Sequence, residues 1–153
     1  MRAGKIVWKK GRGKLGIFKP LLGKWVAEAD SEMGKAICTR IFTSVLDGKY
    51  VQMNANWLFG DNSYDEIALI GIDASRKIHF WSFTSDGKQS QGDLADVSEL
   101  HPQAIGFEAQ MPSGLGRMAY WPDETEGFHW VVESKNKQGW RRFVTHHYRW
   151  DGD

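Results

Sequence analysis

Turn-forming residues recur about every 10–12 positions along the whole chain, and this spacing restricts the fold more than any other feature. Asp47-Gly48 and Asp86-Gly87 are Asp-Gly pairs, which suit the positive-φ positions of a tight hairpin. Gly60-Asp61-Asn62, Asp73-Ala74-Ser75-Arg76, Met111-Pro112-Ser113-Gly114 and Asn136-Lys137-Gln138-Gly139 are equally short and turn-like. Between them lie ten β-rich runs: 22–30, 35–46, 49–59, 63–73, 77–84, 88–96, 104–110, 116–121, 127–133 and 139–150. No segment has the length and period of a long helix. Short connections force sequence neighbours to pair antiparallel, because a parallel crossover needs about a dozen residues. The reading is an all-β, ten-stranded antiparallel up-and-down meander. Without helices to cover its edges, closure into a barrel is the expected way to satisfy them.

Two segments fall outside the strands. Residues 18–22, around Pro20, are expected to form a turn of helix plugging one barrel end, and 97–103, with Pro102, form a longer link. The chain divides into a basic N-terminal arm, 1–16, and a barrel domain, 17–153. Residues 1–24 hold eight basic side chains and no acidic one, which leaves 12 basic against 19 acidic residues in the rest, a net charge of −7. The arm is short and offers only Trp8 and Phe18 for base stacking, so a tail docked on the acidic body is expected rather than nucleic-acid binding. A single cysteine, Cys38, allows no intrachain disulfide, and no apolar run is long enough for a membrane span or a secretion signal. These features together predict a cytoplasmic location.

Eight Trp and eight Phe in 153 residues require a wide aromatic core or an aromatic-lined cavity. Alternation along the strands places Gln52, Asn54 and Asn56 on one face and Val51, Met53, Ala55 and Trp57 on the other. Cys38, Arg40 and Phe42 share a face, as do His79, Trp81 and Phe83, and Phe128, Trp130 and Val132. In the last run Arg142, Val144, His146 and Tyr148 oppose Arg141, Phe143, Thr145, His147 and Arg149. A ligand cavity mixes aromatic walls with a few polar anchors. The candidate pocket residues are Arg40, Asn54, Glu66, Trp81, Trp130, His146 and Tyr148, against the alternative of a barrel filled by its own side chains.

Gly23-Lys24-Trp25 opens the first strand, and Arg149 lies near the end of the last. This G-x-W start resembles that of lipocalin and fatty-acid-binding barrels. The resemblance implies a structural closure formed by Gly23, Trp25 and a late-strand Arg stacked on the indole, with Arg149 first and Arg142 second. With Leu21-Leu22, Thr39-Arg40-Ile41-Phe42 and Phe80-Trp81-Ser82-Phe83-Thr84-Ser85-Asp86-Gly87, the chain over about 20–150 is most similar to uncharacterised bacterial lipocalin-like (calycin) barrels. That group implies a fold and a cavity and brings no common activity. Only Ser31-Glu32-Met33-Gly34 occupies the place of the fatty-acid-binding proteins' two-helix lid, so no lid is expected. Nitrobindin-like barrels bind heme through a His near the chain end, where His146 and His147 lie here, although the surrounding motif differs.

The leading expectation is a module that binds a small hydrophobic or aromatic ligand. The first alternative is an isomerase, cyclase or hydrolase in the same cavity, acting through Glu66, His79, His146 or Tyr148; the second is heme binding. No metal site is predicted, because no strand holds an i, i+2 pair of His or Cys ligands. Ser85-Asp86-Gly87-Lys88 and Ser134-Lys135-Asn136-Lys137 match S-x-x-K but fall in hairpin turns. Gly11-Arg12-Gly13-Lys14 lacks the full phosphate-loop spacing. Cys38 reads as a packing residue. A homodimer is compatible with aromatic outer faces.

Overall fold

The computed structural model describes residues 7–31 and 34–152. Ten strands form one closed antiparallel barrel in which each strand pairs with its sequence neighbours and β10 closes against β1. They are β1 (Gly23–Ser31), β2 (Gly34–Val45), β3 (Tyr50–Phe59), β4 (Asn62–Ile72) and β5 (Ile78–Thr84). The second half comprises β6 (Gln89–Ala95), β7 (Ile105–Met111), β8 (Gly114–Pro122), β9 (Phe128–Asn136) and β10 (Gly139–Gly152). The ten expected runs are these strands, with ends displaced by three residues at most. The turn chemistry works as anticipated: Asp47 and Gly48 have φ of 59° and 74°, and Gly87 has φ of 83°. Among the described residues no helix is long and apolar enough to cross a membrane.

The two ends of the barrel differ. The β2–β3, β4–β5, β6–β7 and β8–β9 connections share the lower end with a 3-10 helix, Gly16–Leu21. Phe18 and Leu21 project from this helix into the barrel and are fully buried. Trp25 seals the same end: its Nε1 donates to the Leu21 carbonyl at 2.8 Å, and its ring meets Phe128 and Trp150 edge-on at 4.8 and 4.9 Å. Phe18 stacks on Phe107 at 6.0 Å, so the plug is continuous with the aromatic core. Part of the basic arm joins this end. The backbone of Trp8 exchanges two hydrogen bonds with the Gln103 side chain, at 3.1 and 2.8 Å. Residues 1–6 of the arm lie outside the described residues.

The 96–104 link crosses the outer wall of the lower half. Val97 packs with Ala119 and Val131 in a small second core under it. The approach is close: a Cβ on Gly106 would stand 2.6 Å from both Val97 methyls and 2.9 Å from the Met118 carbonyl oxygen. The upper end carries the β1–β2, β3–β4, β5–β6, β7–β8 and β9–β10 connections. Ser31 and Gly34 pair in register, so only Glu32 and Met33, outside the described residues, separate β1 from β2.

Candidate functional site

The upper half of the barrel contains a cavity of about 580 Å³. Its wall includes Trp57 from β3, Tyr64 and Glu66 from β4, Phe80 from β5, Phe107 from β7, and Trp130 and Val132 from β9. The β7–β8 hairpin, Met111–Gly114, frames the mouth. The aromatic excess therefore serves two tasks: one set of rings plugs the lower end and a second set lines the upper cavity. Trp57 stands edge-on to Tyr64 and to Trp130, each at 6.3 Å. Glu66 places a carboxylate in this apolar wall. Its Oε2 accepts a 2.6 Å hydrogen bond from Ser82 Oγ, which holds the side chain in one orientation.

A polar cluster fills the barrel beside this cavity. Arg40 on β2 is 1 % exposed. Its Nε donates to Tyr148 Oη at 3.2 Å and its Nη1 to Tyr120 Oη at 3.0 Å. The guanidinium lies 3.9 Å from the centroid of the Trp130 ring, a close cation–π contact. Burial works against its charge, but the Tyr120 and Tyr148 oxygens and the Glu66 carboxylate outweigh it and favour the charged form. Burial pushes the Tyr120 phenol up to about 12, with Arg40 opposing. The Tyr148 phenol is also raised, by burial, again against Arg40. Both phenols thus stay neutral and act as hydrogen-bonding groups.

His146 extends this cluster. Tyr148 Oη lies 3.2 Å from His146 Nδ1. Arg40 Nε donates to the phenol oxygen, and donation of the phenol proton to Nδ1 corresponds to the Nε2–H tautomer of a neutral His146. Burial, and next the Arg40 charge, lower this imidazole to about 4. Arg40 Nη2 and Trp130 Nε1 remain buried without a hydrogen-bond partner.

Five of the seven candidate pocket residues come together: Arg40, Glu66, Trp130, His146 and Tyr148 all point inward. Of these, Glu66 and Trp130 belong to the cavity wall. The other two are on the outer wall. Asn54 accepts from Gln52 Nε2 at 2.9 Å, in a cross-strand row with Ile41, Ile67 and Phe83. The buried face of β3 is Val51, Met53 and Ala55, so Gln52, Asn54 and Asn56 are its solvent side. Trp81 packs outside against Tyr50 and His79. His79 is therefore external too, with Nδ1 2.7 Å from Asp93 Oδ1 and Nε2 2.8 Å from Gln91 Oε1.

The expected closure needs a second correction. Trp25 and Gly23 stand at the sealed end, but Arg149 is exposed on the outer face and pairs with Val26, while Trp150 is the residue opposite Trp25. Arg142 instead reaches Glu133 Oε2 at 2.9 Å and the Trp121 ring at 5.6 Å. The Arg-on-Trp stack inside this barrel is Arg40 on Trp130.

The two chain-end histidines face opposite sides of the barrel wall, His146 inward and His147 outward. Trp57 and Trp130, from the cavity wall, pack on His146 at 5.0 and 5.1 Å, and Nδ1 is engaged by Tyr148. His147 faces outward and bonds Asp123 Oδ2 at 2.5 Å. Cys38 is fully buried, and burial, partly offset by Arg40, pushes its thiol up to about 11, which leaves little reactive thiolate.

Tyr120, Trp57, Tyr64 and Ser82 belong to the site and are absent from the sequence-derived set. Trp57 was legible as a co-facial partner of Met53 and Ala55, but Tyr120 and Ser82 reach the site only through register. The chain is thus a closed ten-stranded antiparallel barrel, plugged at one end, with an aromatic cavity at the other. Comparison with known protein families and with curated proteins finds no match.

Proposed function

We propose that this barrel, of the lipocalin-like (calycin) kind, binds a small molecule with an apolar, largely aromatic body in its upper cavity. The observation that carries the reading is the cavity itself: about 580 Å³, walled by Trp57, Tyr64, Phe80, Phe107 and Trp130, with the Glu66 carboxylate among them. That volume falls within the range of roughly 300–1,000 Å³ typical of ligand pockets, and an aromatic wall with few polar anchors is their usual composition. Glu66, oriented by Ser82, offers an acceptor to a ligand hydroxyl or amide N–H. The ligand is therefore a mostly flat, apolar molecule with a hydrogen-bond donor on one edge.

Trp57 and Trp130 provide the readout. Titration with a panel of aromatic and aliphatic hydrophobic compounds is expected to quench or shift tryptophan emission and to raise Tm. A Val132→Trp variant, which fills the cavity from its wall, is expected to remain folded and lose the response. Glu66→Gln is expected to weaken binding of donor-bearing ligands selectively. A panel that leaves emission and Tm unchanged, or a response that persists undiminished in a folded Val132→Trp protein, overturns the reading.

A further inference from the structure

The geometry points to a divalent transition-metal site on the outer wall of the barrel, formed by His79, Asp73 and Asp93. It is separate from the cavity and does not depend on the ligand reading. His79 projects outward from β5 directly opposite Asp93 on β6, and Asp73 begins the turn that leaves β4. Nδ1 of His79 lies 2.7 Å from Asp93 Oδ1 and 3.7 Å from Asp73 Oδ2, and the three donor atoms all lie within 4.8 Å of one another. Metal–donor bonds of about 2.0–2.2 Å place neighbouring donors about 3.0–3.5 Å apart, so sub-ångström adjustments would seat an ion.

The surroundings hold these donors in place. Asp73 Oδ1 accepts the Lys77 backbone N–H at 2.9 Å, which turns Oδ2 toward His79. The edge of Trp81 packs on the imidazole at 4.7 Å. Gln91 Oε1 lies 2.8 Å from Nε2. An imidazole that donates Nε2–H to a carbonyl presents the Nδ1 lone pair outward, and this is the arrangement that orients metal-ligating histidines. That lone pair faces two carboxylates, which accept hydrogen bonds and cannot supply one. The Nδ1 position therefore takes either a proton donated to Asp93 or a metal ion in its place.

Burial and ligand type narrow the choice of ion. The His79 and Asp73 side chains are 12 % and 20 % exposed, and Asp93 is 47 % exposed. The ion would sit half-sheltered, with its remaining positions open to water on the Asp93 side. One imidazole with two carboxylates suits zinc, cobalt or nickel rather than calcium or magnesium, which prefer all-oxygen shells. Burial acts to lower the His79 pKa, but hydrogen bonds to Asp93 and Gln91 and the two carboxylate charges raise it overall, so protons compete with a metal ion for this imidazole.

The test uses the full chain stripped of metal with a chelator. Titration with Co²⁺ is expected to give a visible d–d band saturating at one equivalent, displaced by Zn²⁺, with a higher Tm in the metal-bound protein and weaker binding toward acid pH. His79→Ala is expected to abolish the band while leaving the metal-free Tm nearly unchanged. Asp73→Asn, which keeps the Lys77 contact, gives an independent reading through reduced affinity. Gln91→Ala is expected to weaken binding about tenfold or more, as a positioning residue. No band and no Tm shift at millimolar Co²⁺ and Zn²⁺ would overturn the assignment in favour of a protonated His79, as would binding undiminished in His79→Ala or Asp73→Asn.

Discussion

Protonating His146 should destabilise the barrel selectively. Burial and the Arg40 charge lower this imidazole from 6.5 to about 4. The unfolded chain therefore binds a proton that the folded chain refuses throughout that interval. The resulting stability is complete above the ordinary histidine pKa and is lost as pH falls toward 4. Between pH 7 and pH 5 the loss from this one group is about 2 kcal/mol. The structural cause is explicit: a second proton on the ring puts a buried charge near the Arg40 guanidinium. Chemical denaturation at both pH values, on the native chain and on His146→Phe, isolates the effect. The variant keeps an aromatic ring between Trp57 and Trp130. Contributions common to both proteins, such as Asp123 with His147, cancel in the difference. The native chain is expected to lose about 2 kcal/mol more than the variant. Equal losses would refute the assignment of a neutral, buried His146, as would an imidazole NMR titration midpoint near 6.5 in the folded protein.

Three further outcomes follow from the packing. Trp25→Ala empties the sealed end and is expected to cost about 3–5 kcal/mol, read by chemical denaturation, because the indole is 1 % exposed and touches Phe128 and Trp150. Arg149→Ala is expected to change stability by less than about 0.5 kcal/mol in the same assay, since the side chain is exposed and does not cap Trp25. Gly106→Ala is expected to cost about 1–3 kcal/mol, because its Cβ would meet Val97 at 2.6 Å; hydrogen exchange should quicken in the 96–104 link before it does in the strands.

The strand count was readable because turns depend on local chemistry: Asp47, Gly48 and Gly87 adopt the backbone conformations that their residue types favour. Facing was readable where one side of a strand is uniformly apolar, and Val51, Met53 and Ala55 settle β3 in that way. Taking Asn54 for a pocket residue gave too much weight to polarity and too little to the buried alternation opposite it. β10 was harder. Both of its faces carry aromatics and basic residues, and an irregularity between Arg142 and Val144 skips Phe143 in the pairing with β9. This places Arg142 outside while Val144, His146 and Tyr148 stay inside, although strict alternation puts all four on one face. Which residue meets Trp25 depends on a second irregularity, between Lys24 and Trp25, which turn signals do not encode. The Asp73, His79 and Asp93 group was invisible for a related reason. Its donors come from three segments, so no spacing within one strand reveals it.

The pairing of β10 with β1 also bears on how the barrel assembles. Each of the other nine strand pairs joins sequence neighbours and can form as a local hairpin; Trp25 opposite Trp150 joins residues from the first and last strands. During synthesis β1 is made first and waits for its second partner until β10 has left the ribosome. Until then the growing meander has two unpaired edges, each able to recruit a strand from another chain. Any shortening of β10 would make that passing state permanent, so the expected result is self-association of the truncated chain.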